Sequence, residues 1–314
     1  IVVLGGGTGL SVLLRGLKQF PLDITAIVTV ADDGSSSGRL REEFDIFAVG
    51  DLRNVLVSLS EVEPLIEDLL QYRFVTDSSL NNHPMGNLLL TALYNITGNL
   101  TESLRSLSKI FNIKGTILPF TEENPVLIAH TTDGKIIEGE SNITKAGKEI
   151  DYIEYKNEVK PTKEVIKAID EADLIIFGIG SLYTSIIPNL LSKEVVESLK
   201  NSKAKKMYVC NIMSEHGETD NYKVSDCIKK INSYVKEDLM DVVVVNNKKV
   251  PDDIKERYLG EIAGQIDIDY DVLNDMNVEI IEDELLYISE KKKVRHDPYR
   301  TALAIFNYIV KELK

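Results

Sequence analysis

The chain has 314 residues, of which 43% are hydrophobic and 27% are charged, and its formal net charge is −14. A chain of this length can bury a large core in one or two domains, and its acidic field repels nucleic acid and anionic membrane surfaces on average. We therefore expect no nucleic-acid partner. Two cysteines are too few for a disulfide framework, and the sequence has no run of 18 apolar residues or signal-peptide pattern, so we expect a cytoplasmic protein without membrane insertion.

The first predicted elements are a strand at residues 1–4, a glycine loop and a helix that begins near Leu10. Glycines let the backbone approach a phosphate closely, and the first N–H groups of the helix point at it. The loop therefore predicts a nucleotide or phosphate site formed by Gly5, Gly6, Gly7, Thr8 and Gly9. Leu10 stands where the dinucleotide motif G-x-G-x-x-G requires glycine, and Leu10-Ser11 stand where a Walker A loop requires Gly-Lys. We expect no NAD for this reason.

A second predicted strand, at residues 24–30, is followed by two acids. Because the carboxyl ends of neighbouring strands in an α/β sheet face one crevice, Asp32 and Asp33 should lie beside the glycine loop. One of these carboxylates could bind a ribose hydroxyl, or they could hold Mg²⁺ together with phosphate oxygens. An Asp-Gly turn without a ligand is the third alternative. The next residues suit a second phosphate or a sugar, namely Ser36, Ser37 and Arg39.

Two helix entries also carry polar side chains. Asp51 can cap the helix that begins near residue 51, and Arg53 and Asn54 in its first turn suit a phosphate or carboxylate ligand. His83 and Asn87 stand at the entry of the next helix, where a structural role and a ligand contact are both open.

The later strands are near-continuous apolar runs at residues 174–177, 207–211 and 242–245, which is typical of strands buried on both faces of a parallel sheet. Helices are predicted at about 51–74, 85–96, 101–111, 162–171, 192–200, 222–236 and 298–312. The interval from about 125 to 160 differs, because Asp133-Gly134 between apolar runs is typical of a β-hairpin and residues 151–155 add a strand. The sequence thus predicts an α/β fold with a doubly wound, mainly parallel Rossmann-like sheet and a small β-rich insertion.

The strand at 174–177 is again followed by glycines, hydroxyls and a helical segment. This order predicts a second anion or sugar pocket, formed by Gly180, Ser181, Leu182, Tyr183 and Thr184. Asn211, at the end of the next strand, is placed to bind a base or a sugar. Two cysteines and four scattered histidines do not provide ligand pairs at zinc spacing, so the acids favour Mg²⁺ as the metal.

These motifs as a set resemble one family. They are VLGGGTGLS at 3–11, VTVADDG at 28–34, SSGRLR at 36–41, GDLRN at 50–54, GNL at 86–88 and GSLYTS at 180–185. They are similar to the bacterial gluconeogenesis factors, which belong to the superfamily of the 2-phospho-L-lactate transferase (CofD). The likeness runs from the first strand to His296-Asp297-Pro298, which is nearly the whole chain.

The resemblance implies a single CofD-like α/β domain over residues 1–314, in which the β-rich insertion is a subdomain or a cap. It also implies UDP-sugar binding and a cytoplasmic role in carbon metabolism and cell shape. The transferase branch moves a phospholactate group from a guanosine diphosphate adduct to a deazaflavin with Mg²⁺. By position, Asp33 and Asp51 look like the metal-binding acids of that branch, with Asp32 as a further candidate. The expected nucleotide contacts are Gly6, Gly7, Thr8 and Asn211.

The sequence departs from the family pattern at two places that bear on the metal loop. Ser35 stands where the family usually has a second glycine, and Ala48-Val49 replace the more usual proline before Gly50. The opening GGGTGLS and the segment 83–88 favour the gluconeogenesis-factor branch over the deazaflavin enzyme.

Three functions are compatible with these motifs. The first is a regulator whose nucleotide-sugar occupancy controls the binding of a protein partner. The second is an Mg²⁺-dependent transferase of the 2-phospho-L-lactate type, and the third is an NAD-dependent oxidoreductase with Asp32 on the ribose, which the broken glycine fingerprint disfavours. In each case a homo-oligomer is expected.

Overall fold

The computed structural model describes residues 1–44, 46–61, 64–259 and 263–312. The strands are β1 (Val2–Gly5), β2 (Thr25–Val28), β3 (Thr116–Pro119), β4 (Leu127–Thr131), β5 (Ile136–Glu138), β6 (Ile150–Tyr155), β7 (Leu174–Phe177), β8 (Lys205–Val209), β9 (Val242–Asn246), β10 (Glu279–Asp283), β11 (Leu286–Ile288) and β12 (Val294–His296). The helices are α1 (Gly7–Leu17), α2 (Ser35–Phe44), α3 (Val49–Leu59), α4 (Pro64–Gln71), α5 (Met85–Thr97), α6 (Leu100–Ile110), α7 (Glu140–Ala146), α8 (Lys163–Asp170), α9 (Lys193–Asn201), α10 (Val224–Val235), α11 (Asp252–Leu259), α12 (Tyr270–Asp275) and α13 (Pro298–Glu312). After β7 come a π-helical turn (Leu182–Ile186) and a 3₁₀ turn (Ile187–Leu190).

The central sheet has seven strands in the order β10-β9-β8-β7-β1-β2-β3, and every neighbouring pair is parallel. From β1 the chain moves outward to β2 and β3, and it then returns to β7 on the other side of β1. The strand order therefore reverses between β1 and β7, and the carboxyl ends of these two strands form the switch point at which open α/β sheets bind ligands. This arrangement confirms the predicted doubly wound, Rossmann-like α/β fold.

The core has two layers, one on each face of the sheet, because alternate residues of a strand point to opposite faces. Leu4 of β1 packs with α8, α9, α10 and the residues around the π-helical turn. Val3 packs in the second layer with α1, α3, α5, α6 and α13. Every residue of β7 and β9 is buried, which explains why their sequences are apolar without alternation.

The β-rich insertion is present as predicted, but it also contains a helix that the sequence did not indicate. β5, β4 and β6 form a three-stranded antiparallel sheet in that order. Gly134 in the turn between β4 and β5 has a φ of +80°, which glycine adopts without strain. α7 lies between β5 and β6, and its residue Ile143 packs in the same core layer as β4.

The helix predicted over residues 51–74 was wrong as a single element. α3 ends at Leu59, because Ser60 has an extended backbone (φ −66°, ψ 140°) and forms a bridge to Ile113. Residues 62 and 63 of the predicted helix lie outside the described residues, and α4 begins at Pro64. The other predicted helices are present within about two residues of their predicted ends, as is normal for helix boundaries. No helix within the described ranges is long and apolar enough to span a membrane.

Candidate functional site

The glycine loop lies at the switch point, between β1 and the start of α1. Gly6 is the N-cap of α1 and provides no side chain to bind the first N–H groups of the helix. Gly7 has a φ of +57°, a conformation that favours glycine. The N-terminus of α1, with its free N–H groups and positive dipole end, therefore opens at the carboxyl edge of the sheet.

The loop after β7 lies directly against the glycine loop. A Cβ atom on Gly9 would overlap the carbonyl oxygen of Ile179 and would lie 2.7 Å from its carbonyl carbon. A Cβ on Gly180 would lie 2.9 Å from the Cβ of Ser185. The glycines at both strand ends are thus required by the close approach of two backbone segments, which an ordinary turn does not need.

A crevice of about 650 Å³ opens above these two loops, a volume typical of a site for a small molecule or cofactor. Its walls come from the glycine loop, the ends of β7 and β8, the insertion, the segment after β8 and the β11–β12 hairpin. Predicted site residues in the lining are Gly6, Gly7, Thr8, Gly9, Asp32, Asp51, Gly180, Ser181 and Asn211. The structure therefore brings together the glycine loop, two of the acids and the start of the second predicted pocket.

Asp51 lies in the first turn of α3, whose N-cap is Ala48, and contacts the glycine loop. Its carboxyl group accepts the backbone N–H of Gly7, so a side chain of the protein already occupies part of the N-terminus of α1. Burial and the nearby charges of Asp32 and Glu140 raise the pKa of Asp51 to about 8. Asp51 therefore loses its proton readily only when a positive charge lies close by.

The insertion adds a further acid to this wall. Burial, followed by the charges of Asp32 and Asp33, raises the pKa of Glu140 to about 7. Glu140 is the first residue of α7, and nothing in its sequence context marked it as a site residue. Mutual repulsion among these carboxylates favours a bound cation or bound protons.

The two adjacent aspartates that follow β2 have different environments. Asp32 lines the crevice and accepts the N–H of Gly34 at 2.9 Å. Asp33 instead accepts the N–H of Ser141 at 2.8 Å, which joins the loop after β2 to the first turn of α7. Asp32 thus shares the crevice wall with Asp51 and Glu140, whereas Asp33 does not line the crevice, and its assignment to a metal stays a prediction.

The second predicted pocket is filled in part by the protein's own carboxylate. Glu218 accepts the N–H of Tyr183 at 2.9 Å and the hydroxyl of Thr184 at 3.3 Å. Burial and the charge of Glu215 raise the pKa of Glu218. Leu182, Tyr183 and Thr184 are buried, so within this pocket only Gly180 and Ser181 line the crevice.

Asn211 lies in the crevice wall, but its amide already holds the neighbouring loop. Its Nδ2 donates to the carbonyl oxygen of Gly180 at 2.8 Å, and its Oδ1 accepts the N–H of Gly180 at 3.3 Å. One amide proton is left for a ligand. Asn211 therefore positions the glycine that packs against the glycine loop, and base or sugar contact stays a prediction.

Ser36, His83 and Asn87 form a buried hydrogen-bonded group outside the crevice lining. The hydroxyl of Ser36 lies 2.8 Å from Nδ1 of His83, and Nδ2 of Asn87 donates to the same hydroxyl at 3.1 Å. All three are at most 4% exposed. These bonds connect α2 to α5, while Oδ1 of Asn87 is buried without a hydrogen-bond partner in the described part of the chain.

Arg53 and its neighbours also lie behind the crevice wall. Arg53 is buried with its side chain against Gly86, and its Nη2 donates to Oδ1 of Asn54 at 2.6 Å. Burial and the charge of Arg73 lower the pKa of Arg53 to about 10, while Asp51 and Asp32 act in the opposite direction. The positive charge of Arg53 therefore partly offsets the negative charges of Asp51 and Asp32.

The remaining predicted residues hold loops and strand ends. Arg39 donates to the carbonyl oxygens of Ser79 and Asn81. Ser37 is buried near Gly50, and Gly5 ends β1, where its carbonyl accepts the N–H of Thr29.

Several lining residues were missed by the sequence analysis. They are Glu140, Lys148, Glu215, Tyr258, Arg295 and His296. None of them follows a strand of the central sheet directly, and the insertion and hairpin that carry most of them reach the crevice only through folding. Proximity to a strand end could not have identified them.

The donor chemistry of the crevice fits Mg²⁺, although no ready-made ligand set is present. Among the described residues, no three His, Cys, Asp or Glu side chains are placed to hold a metal ion together. Asp32 and Asp51 offer carboxylate oxygens on one wall, and a cation there would offset the burial and the neighbouring charges that raise the pKa of Asp51. Phosphate oxygens and water would have to complete the coordination shell.

Comparisons with known proteins agree with this architecture. Residues 1–286 match the family model described as 2-phospho-L-lactate transferase CofD. A protein named Gluconeogenesis factor from Bacillus subtilis is 46% identical over 303 residues, which cover 96% of this chain and 95% of that protein. A Putative gluconeogenesis factor from Thermotoga maritima is 42% identical, with 96% of each chain covered. The crystal structure of a UPF0052 family member from Bacillus halodurans superposes with a TM-score of 0.92 at 45% identity, covering 97% of this chain and 98% of that one.

Proposed function

This chain belongs to the family of the 2-phospho-L-lactate transferase CofD, and we propose that its crevice binds a nucleotide sugar, with a UDP-sugar as the expected ligand. The observation that carries the proposal is the N-terminus of α1 at the switch point, where the N-cap residue Gly6 has no capping side chain and Asp51 takes only the N–H of Gly7. Backbone N–H groups at such a helix end bind anions without help from side chains.

The backbone donors at the start of α1 support a diphosphate as the central group of the ligand. The chain as a whole carries a net charge of −14, so its global field does not attract phosphate. The N–H of Gly7 is taken by Asp51, which leaves the next N–H groups of the first turn, those of Thr8 and Gly9, for phosphate oxygens. Lys148, whose Nζ also lies 3.3 Å from Asp133, and Arg295 add positive charge to the lining.

We further propose that the protein is a regulator of carbon metabolism and cell shape whose occupancy by the nucleotide sugar controls a protein partner. The similar proteins from Bacillus subtilis and Thermotoga maritima carry gluconeogenesis factor in their names. The position of the insertion supports control by the bound ligand. Its helix α7 lies in the crevice wall, and Asp33 joins α7 to the loop after β2. A ligand in the crevice would thus contact both the sheet and the insertion. A cytoplasmic location and a homo-oligomeric state stay predictions.

Binding is tested by the effect of ligand on thermal unfolding. At a UDP-N-acetylglucosamine concentration 100 times the Kd, mass action stabilises the folded state by about 2.7 kcal/mol. For a chain of this size we expect Tm to rise by about 5 °C. GDP, NAD and a deazaflavin serve as comparison ligands, each with and without Mg²⁺. The absence of a shift at millimolar UDP-sugar would contradict the proposal, and a shift with NAD alone would favour the oxidoreductase.

A second candidate, an Mg²⁺-dependent transferase of the phospholactate type, is favoured by the family match and by the acids at the glycine loop. Bound Mg²⁺ would stabilise charge that develops on a transferred phosphate. We expect Asp51→Asn to abolish any such turnover, measured with a guanosine diphosphate adduct and a deazaflavin acceptor. Turnover that persists in this variant, or turnover in the wild type without a divalent cation, would exclude this mechanism.

A further inference from the structure

His296 is a buried residue of the crevice wall whose role the proposed function does not explain. It ends β12, is 4% exposed and lies in the crevice lining next to Arg295. Its Nε2 lies 3.1 Å from the carbonyl oxygen of Cys210, which follows β8. Because a carbonyl oxygen can only accept a hydrogen bond, Nε2 must carry the proton and donate it.

This bond determines the chemistry of the other ring nitrogen. A neutral imidazole with its proton on Nε2 has an unprotonated Nδ1, which is an acceptor. Burial lowers the pKa of His296 to about 4, so the ring stays neutral at pH 7. Among the described residues, no group donates a hydrogen bond to Nδ1. His296 therefore offers the crevice wall an acceptor, Nδ1, that has a fixed tautomer and no hydrogen-bond partner among the described residues.

We propose that Nδ1 of His296 accepts a hydrogen bond from an N–H or O–H group of the bound nucleotide sugar and thereby selects and orients it. This inference rests on the proposed function. A phosphate at neutral pH offers only acceptors and would repel the lone pair of Nδ1, so the partner is a donor on the base, the ribose or the sugar. Arg295, the next residue along the chain, has only donors, and the two side chains therefore recognise different parts of one ligand.

Two isosteric substitutions separate the two nitrogens of the ring. Glutamine places its amide nitrogen near the position of Nε2, so His296→Gln retains the bond to Cys210 and loses the acceptor in the crevice. Asparagine places its amide oxygen near the position of Nδ1, so His296→Asn retains the acceptor and loses the bond to Cys210. We expect His296→Gln to weaken UDP-N-acetylglucosamine binding about tenfold with little change in Tm. His296→Asn should lower Tm and keep the affinity within about threefold.

Calorimetric titration of the full chain tests this contact with three ligands, namely UDP-N-acetylglucosamine, its N3-methyl form and its 2′-deoxy form. A purely structural role of His296 would not change the ratio of the affinities for these ligands. For the wild type, we expect the analogue that lacks the partner donor to bind about tenfold more weakly, whereas His296→Gln should not distinguish it from the parent ligand. Equal affinity of the wild type and His296→Gln for the parent ligand would overturn the role of His296 while leaving the proposed function intact. If the wild type bound none of the three, the proposed function itself would fail, and this inference with it.

Discussion

The Gly9→Ala variant is expected to lose about 3 kcal/mol of unfolding free energy, near the upper end of the usual cost of overpacking. The new Cβ would overlap the carbonyl oxygen of Ile179 and lie 3.1 Å from the backbone nitrogen of Gly180. These are backbone atoms, so no side-chain rotation can relieve the clash. The loop cannot withdraw easily, because Gly178 donates to Leu4 and Asn211 holds Gly180.

The expected loss of stability in Gly9→Ala is opposite in sign to the usual effect of replacing glycine by alanine in a helix. Gly9 lies in the first turn of α1, where alanine would otherwise stabilise the helix by up to about 1 kcal/mol. A net loss therefore requires that the contact with Ile179 outweigh helix propensity. Urea unfolding measures the difference, and Gly264→Ala is the control, because a Cβ there meets no atom within 4 Å. A Gly9→Ala variant as stable as the wild type would show that the two loops are not packed as described.

The same substitution should also abolish nucleotide-sugar binding. Moving the glycine loop away from Ile179 and Gly180 displaces the N–H groups that we assign to the phosphate. A displacement of about 1 Å is enough to lose hydrogen bonds whose useful donor–acceptor range is only about 0.5 Å wide. Thermal shift with UDP-N-acetylglucosamine, performed well below the Tm of the variant, should show no stabilisation. If Gly9→Ala bound UDP-N-acetylglucosamine with the affinity of the wild type, the ligand would not bind at the glycine loop.

Asp51→Asn is expected to remove the dependence of nucleotide-sugar binding on Mg²⁺. The carboxyl group of Asp51 accepts the N–H of Gly7 and so lies at the phosphate site, where Mg²⁺ would take the place of its proton and offset the charge of the phosphate. We expect Mg²⁺ to tighten wild-type binding about 100-fold and that of the variant by less than about threefold. Asp77→Asn removes the same charge from an exposed loop and is the matched control. If nucleotide-sugar binding by Asp51→Asn depended on Mg²⁺ as strongly as that of the wild type, Asp51 would not be a metal ligand.

The pH dependence of stability gives an independent test of Asp51. Its pKa is about 8 in the folded protein, against 3.8 for an aspartate free in water, so between these values the folded state binds the extra proton. Stability without Mg²⁺ should therefore fall as the pH rises from about 4 to about 8. In Asp51→Asn this contribution is absent, so its Tm should exceed that of the wild type by a margin that grows from pH 6 to pH 8. A constant margin over this range would contradict the raised pKa.

The parts of the fold that the sequence predicted well are those encoded by local pattern. The buried runs of β7 and β9 were recognisable because strands covered on both faces consist mostly of apolar residues. The glycine loop was recognisable because its position between a strand and a helix has few structural alternatives.

The failures occurred where long-range contacts overrule local pattern. Apolar periodicity continued past Leu59, but Ser60 pairs with Ile113 and ends the helix there. Ser36 and His83 are 47 residues apart, and their polar character did not reveal that they bond to each other instead of to a ligand. Glu218 likewise fills a helix end that the sequence left open for an anion.

By itself, the sequence determined the fold class and the family to which the chain belongs, and it predicted the glycine loop that lines the crevice. These depend on hydrophobic runs and on glycines, whose effects act within a few residues. Only the tertiary structure decided which polar side chains enter the crevice and which are used to fasten its walls. That division depends on where the insertion and the β11–β12 hairpin meet the sheet, and residues distant in sequence, such as Glu140 and His296, become neighbours of the glycine loop only through that packing.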